Sequence, residues 1–273
     1  TSNIGFINAN DYINYINSLA MRYGLDLANE AYHVFTDKYT SPKFILRMNI
    51  ATQYVNSSPF PYLHIRKIRK NKYTVDDLIE KGVMPRKVAE YLIDKINTTG
   101  IVVCGKGASG KTTLLNVLLD QIHYNMSGLV IQESEELFSN KQPDFMFQHI
   151  TNSKNGRPAY GLKEEATNGL LTDLDHFIIG EIKGGEAWYF LNAASTGHIC
   201  SCTVHAPSAK DAIDKLADYV TYESKYSKEQ AMYMLKELKT IVFMSHFKIR
   251  EIVEITGWDD EKKQLIFKTV YQL

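Results

Sequence analysis

Ile101-Val-Val-Cys104, Gly105-Lys-Gly-Ala-Ser-Gly-Lys-Thr112 and Thr113-Leu-Leu-Asn-Val-Leu-Leu-Asp-Gln-Ile122 run consecutively, and their reading decides the fold. The first four residues are a compact apolar run of buried-strand type, and the last ten continue as a helix. The eight between them fit G-x-x-x-x-G-K-[ST], standing between strand and helix as that pattern requires. Glycines let the backbone curl so that successive N–H groups converge on phosphate oxygens. The positive end of the helix dipole adds attraction for an anion. Gly105, Lys106, Gly107, Ala108, Ser109, Gly110, Lys111, Thr112 and the following Thr113 are therefore expected to hold the phosphates of ATP. Lys111 is expected to bridge the β- and γ-phosphates, and the Thr112 hydroxyl to ligate Mg²⁺.

Downstream, short apolar runs alternate with helical stretches, which predicts a mostly parallel sheet flanked by helices. Leu129-Val-Ile131 leads into Gln132-Glu-Ser-Glu-Glu136, and Phe177-Ile-Ile179 ends in Gly180-Glu181. Residues just past the strands of a parallel sheet gather at its carboxyl edge, beside such a loop. Glu133 and Glu181 are expected there, one holding Mg²⁺ through water and the other polarising the attacking water. A lone Glu after a strand is ordinarily a solvated turn residue, whereas two in this order after a phosphate loop point to chemistry. Thr196-Gly-His-Ile-Cys-Ser-Cys-Thr-Val-His-Ala206 follows. A histidine near a strand is by itself more often structural than catalytic.

Upstream, Tyr12, Ile13, Ile16, Leu19 and Ala20 recur at helical spacing over residues 9–22. Strand-like runs follow at Tyr32–Phe35, Phe44–Ile50 and Tyr62–Ile68, which predicts a small α/β domain over residues 1–70. Thr74 with Asp77 reads as a capped helix start, and Pro85 as the first turn of a second helix reaching Asn97. Residues 71–97 thus read as a helical linker region and 98–273 as the phosphate-loop domain. Lys and Arg number 31 against 31 Asp and Glu, so no basic excess marks a nucleic-acid-binding surface and no stable nucleic-acid binding is expected. No apolar run approaches the roughly 20 residues of a bilayer span. Thr1-Ser-Asn-Ile-Gly-Phe has no basic segment leading into an apolar stretch, so no secretory signal is expected in it. Lacking an initiator Met, the sequence reads as a trimmed piece of a chain. Cys104, Cys200 and Cys202 lack zinc spacing and read as buried free thiols of a reducing compartment.

The phosphate loop, Glu133, Ile179-Gly-Glu-Ile-Lys-Gly-Gly-Glu-Ala187, Gly197-His198 and Thr203-Val-His-Ala206 come in that order. The series resembles the Walker A, Asp-box, Walker B and His-box motifs of the type II and type IV secretion ATPases, and most resembles the CpaF-like tight-adherence pilus ATPases. Arg47-Met-Asn49 and His64-Ile-Arg-Lys67 resemble strand motifs of that family's N-terminal domain, and Phe247–Gly257 its closing strand. The resemblance implies a small N-terminal α+β (PAS-like) domain followed by a RecA-like P-loop NTPase domain with a mostly parallel sheet. It implies the Walker B role for Glu181, on the metal side with Thr112, the Asp-box role for Glu133, and a place near the γ-phosphate for His205. It further implies ATP hydrolysis by a homo-hexamer at the cytoplasmic face of a membrane, beside an inner-membrane platform protein. Three departures stand out: Ser134 follows Glu133 where the family has Asp, Lys183 replaces Arg, and Leu171–His176 lacks the family's arginines.

After residue 98 the sequence holds just two arginines, Arg157 and Arg250. Phosphoryl transfer often uses a further positive group on the γ-phosphate, so Arg47 and Arg66 are expected to reach the nucleotide from the N-terminal domain of the same or a neighbouring subunit. The basic run Arg66–Lys72 reads either as a solvated linker or as an attractor for anionic lipid or an acidic partner loop. Rival readings are a small-substrate kinase, which the arginine shortage opposes, and a GTP switch, whose base-reading motif fails at Pro143. A DNA-directed motor and an ATP-binding scaffold with weak turnover complete the set.

Overall fold

Helix α1 (Ala9–Tyr23) is started by Asn8, whose side chain accepts from Asp11 N, and it buries Ile16, Leu19 and Ala20. Tyr12 and Ile13 of the same stripe are half-buried. Three antiparallel strands follow, β1 (Tyr32–Asp37), β2 (Phe44–Ala51) and β3 (Tyr62–Arg69), in the order β1-β2-β3. Each extends the apolar run that predicted it by one or two residues. Together they make the first of two compact units, Thr1–Lys72; the second is Tyr73–Leu273. The computed structural model describes residues 5–133, 135–139, 141–151 and 158–273; Ser134 and Arg157 of the sequence reading lie outside them.

The second unit opens with α2 (Val75–Glu80) and α3 (Arg86–Thr98). Thr74 and Asp77 form the reciprocal cap expected of them. Pro85, expected in the first turn of α3, instead stands at its N-cap in an extended conformation. The cap is the adjacent site that needs no N–H from it. These two helices, read from sequence as a linker, lie in the second unit, with α3 against the phosphate-loop helix.

Next come β4 (Val102–Gly105), α4 (Lys111–Leu119), β5 (Gly128–Gln132), β6 (Phe145–His149), α5 (Leu162–Gly169), β7 (His176–Ile182), α6 (Glu186–Ser195) and β8 (Ile199–Val204). Helices α7 (Ala209–Glu223) and α8 (Lys228–Met234) precede β9 (Thr240–Ser245), β10 (Lys248–Asp259) and β11 (Gln264–Gln272). The sheet order is β11-β10-β9-β4-β8-β7-β5-β6. From β9 to β6 the neighbours are parallel, while β10 and β11 close one side antiparallel.

Period-two alternation sends each apolar run to both faces of the sheet, so both must be covered. Val102, Cys104, Leu129, Ile131, Phe177 and Ile179 pack with α6 and α7 on one face. Val103, Val130, Ile178 and Val242 pack with α3 and α4 on the other. Cys104, Cys200 and Cys202 are buried free thiols, and burial pushes the Cys104 thiol up to about 12. Among the described residues no helix is long and apolar enough to cross a membrane.

Two strand expectations are corrected. Glu181, read as lying past its strand, is inside β7, because the strand resumes pairing with β8 at Ile182 after an irregularity. The run Phe247–Gly257 is not the closing strand: Phe247 belongs to a turn, β10 starts at Lys248, and β11 is the last strand. The apolar alternation of β11 is too weak, with only Leu265 well buried, to have predicted it.

Candidate functional site

Gly105 ends β4 at φ +154°, where a side chain would come within 2.3 Å of Met244 O and 2.6 Å of Ser109 Oγ. Only glycine lets the chain leave the strand so tightly. Gly110, at φ +100°, then turns the loop into α4. Helices α1, α7 and α8 begin on Asn8, Ser208 and Ser227, each accepting from the first turn. Helix α4 has no side-chain cap. The N–H groups of its first turn have no acceptor within the helix, and the dipole puts partial positive charge there. Lys111 is 5% exposed, and its ammonium donates to Lys106 O at 3.1 Å, which folds the side chain back over the loop. Ser109 Oγ is buried without a hydrogen-bond partner.

The remaining residues come from successive strands at the same carboxyl edge. His205 stands one residue past β8, its Cε1 3.6 Å from where a side chain on Gly107 would begin. Lys215 of α7 donates to His205 O at 2.8 Å and fixes that corner. Nε2 of His205 lies 2.6 Å from Glu181 Oε1, and Lys183 Nζ lies 3.0 Å from Glu181 Oε2. The same ammonium reaches Glu133 Oε2, just past β5, at 2.6 Å. Loop, imidazole, carboxylate, ammonium and second carboxylate thus follow the strand order β4, β8, β7, β5.

Glu181 projects to this edge because the bulge in β7 re-aims it. Thr203 Oγ1 of β8 donates to Gly180 O at 2.7 Å and holds the bulge. Past β7, Glu186 accepts from the backbone N–H groups of Lys183 and Gly184. After β5, Gln132 accepts from Glu136 N and Leu137 N and donates to Leu137 O, folding the turn that carries Glu133.

Burial, then the neighbouring Lys111 charge, holds the His205 imidazole below its ordinary range, with Glu181 pulling the other way. A neutral ring makes the 2.6 Å contact an Nε2–H donation to the carboxylate. Burial alone would lower the Lys183 ammonium, but hydrogen bonds to Glu133 and Glu181 outweigh it and raise it. Both oxygens of Glu181 are therefore engaged, one by an imidazole and one by a cation.

The loop residues, Glu181, His205 and Glu133 come together, while His198 does not join them. Its Nδ1 approaches Ala193 O and Thr196 Oγ1 behind α6, a structural role. Arg47 and Arg66 lie in the first unit, directly opposite each other on β2 and β3. Lys183 and Thr203 are site residues that the sequence reading misses, Lys183 entering it only as a departure from the family's motif. Among the described residues no cluster of three or more His, Cys, Asp or Glu could hold a metal. An ion beside Thr112 and Glu181 would thus be held jointly with phosphate oxygens. The uncapped mouth of α4, the glycine cradle and the Lys111 ammonium fit a polyphosphate.

A sequence model of the family described as type II/IV secretion system protein matches residues 45–241, more than half of the chain. Protein MJ0900 of Methanocaldococcus jannaschii is 30% identical over 173 residues, 62% of this chain and 31% of that protein. The type IV secretion system protein VirB11 of Bartonella quintana is 31% identical over 117 residues, 42% of this chain and 33% of VirB11. The chain therefore spans about a third of the length of these relatives. Among solved structures, the ATPase DotB of Legionella pneumophila superposes with a TM-score of 0.60 at 17% identity, over 95% of this chain and 66% of that one. That likeness is one of fold. These likenesses do not single out the CpaF-like branch. With the matched stretch running from β2 of the first unit to β9 of the second, through the phosphate loop, Glu133, Glu181 and His205, the chain belongs to the type II/IV secretion system protein family.

Proposed function

We propose that the chain is the ATP-hydrolysing motor subunit of a secretion or pilus-assembly machine, acting as a homo-hexamer in the cytoplasm against an inner-membrane platform protein. The observation that carries this reading is the uncapped mouth of α4, with Lys111 folded over it and the His205–Glu181 pair beside Gly107. The loop amides and Lys111 bind the β- and γ-phosphates of ATP. Thr112 and Glu181 would hold Mg²⁺, which supplies charge neutralisation on the phosphate oxygens when bound. Glu181 accepts the proton of the attacking water, His205 orients that carboxylate near the γ-phosphate, and Glu133 shares the acidic role through Lys183. Arg47 and Arg66, side by side on one face of their sheet, supply positive charge to the γ-phosphate of the same or a neighbouring subunit, so that binding and hydrolysis move the domains.

Steady-state phosphate release, with Lys111→Ala and Glu181→Gln beside the parent, tests the chemistry. Lys111→Ala abolishes nucleotide binding, and Glu181→Gln keeps binding and lowers turnover at least tenfold. Parent-like ATP affinity in Lys111→Ala refutes the reading. Sizing the particle with and without a non-hydrolysable ATP analogue tests the ring, which a persistent monomer refutes.

One observation favours a second reading, an ATP-binding scaffold with weak turnover. Glu181 already spends both oxygens on His205 and Lys183, so an attacking water has to compete for them. Parent turnover equal to that of Glu181→Gln would select the scaffold.

A further inference from the structure

On the other side of β4 from His205 lies β9, and the two-residue connection from β9 to β10 ends at the phosphate loop. Gly105 is level with Met244, and Ser245 pairs with Lys248, so His246 and Phe247 alone make the turn. Both have positive φ, 50° and 58°. Turns of this kind match the twist of a hairpin but favour Asn-Gly, because larger residues resist that backbone. Phe247 is nevertheless there, 63% exposed, with its ring edge 3.4 Å from where a side chain on Gly110 would begin. Ser245 Oγ lies 2.9 Å from His246 Nδ1 and steadies the turn. An aromatic ring in a strained backbone, open to solvent beside the mouth of α4, marks a functional position rather than a packing one.

We propose that Phe247 is the platform on which the base of the bound nucleotide stacks. The inference rests on the nucleotide reading of the phosphate loop. His205 and Glu181 lie on the β8 side of that loop and take the γ end of the triphosphate. The nucleoside end then extends to the opposite, β9 side, where Phe247 presents its ring. Stacking uses the π-face that every base has, so adenine and guanine nucleotides share the contact.

The test is calorimetric binding of ADP, GDP and inorganic tripolyphosphate to the whole chain, as parent, Phe247→Gly, Phe247→Ala and Phe247→Tyr. Loss of one base–aromatic stack weakens ADP and GDP binding about 5- to 150-fold in the glycine and alanine variants. Tripolyphosphate affinity stays within about twofold of the parent, and Phe247→Tyr restores ADP binding. Glycine relieves the left-handed backbone, so a ring that merely shaped the turn predicts that Phe247→Gly melts no lower than the parent and binds ADP as well. Unchanged ADP affinity in Phe247→Gly overturns the proposal, as does an equal loss for tripolyphosphate. A parent chain that binds tripolyphosphate but not ADP overturns the platform alone, whereas binding neither ligand overturns the nucleotide reading beneath it.

Discussion

Acidification should destabilise this protein through one buried imidazole, and the size of the effect follows from where that imidazole sits. His176 opens β7 with no exposed surface, Nε2 3.2 Å from Met126 Sδ, its ring packed near Phe145, and Nδ1 without a partner. Burial lowers it from the ordinary 6.5 to about 4, with Asp175 opposing weakly. Because the folded value is the lower one, the unfolded chain takes up a proton first as pH falls. The folded state therefore loses stability between pH 6.5 and about pH 4, and above that window the group contributes no pH dependence. The gap amounts to about 3 kcal/mol when both states are protonated, and to about 2 kcal/mol by pH 5.

Urea denaturation followed by circular dichroism at pH 8 and pH 5 measures it, with His176→Leu as the comparison. The leucine variant has its own baseline stability, so the quantity to compare is each protein's change between the two pH values. The parent should lose about 2 kcal/mol more than the variant over that interval. If both lose the same amount, His176 is not the buried neutral group described, and the packing assigned to the start of β7 is wrong.

Gly105→Ala should displace the phosphate loop, since its Cβ would meet Met244 O at 2.3 Å; calorimetry should then register at least a tenfold loss of ADP affinity. Thr203→Val removes the buried donor to Gly180 O, costing about 1–2 kcal/mol in urea unfolding. It should lower kcat while leaving ADP affinity intact, because Glu181 and not the loop loses its support. Lys183→Met should change stability by less than about 1 kcal/mol, the ammonium being half-exposed. With that cation gone, Glu133 loses its link to Glu181, so turnover should fall at least twofold, and unchanged phosphate release would refute this account of the pair.

What could be read from the sequence was local. The phosphate loop, the buried runs on either side of it and the Thr74–Asp77 cap each depend on neighbours a few residues apart, and each stands where its chemistry predicted. The order of the strands at the carboxyl edge is not local, and neither is anything it assembles. Lys183 could be seen only as a departure from a motif, because its two carboxylate partners come from β5 and β7. The bulge that aims Glu181 needed the Thr203 hydroxyl from a neighbouring strand, and no pattern within Phe177–Ile182 announces it.

The β9–β10 turn was hidden for a different reason. Two-residue hairpins are recognised by Asn-Gly and its kin, and His246-Phe247 violates that rule, so the sequence ran on into an apparent strand from Phe247. Ala108 and Lys263 also have positive φ, but His246 and Phe247 are two such residues in succession, and a turn that defies its own chemistry calls for a compensating gain. The turn's own packing supplies little, since Phe247 leaves most of its ring in solvent. What its position supplies is proximity to Gly110, where the phosphate loop turns into α4. An exposed ring on a strained backbone beside the phosphate loop is what a base-stacking platform requires.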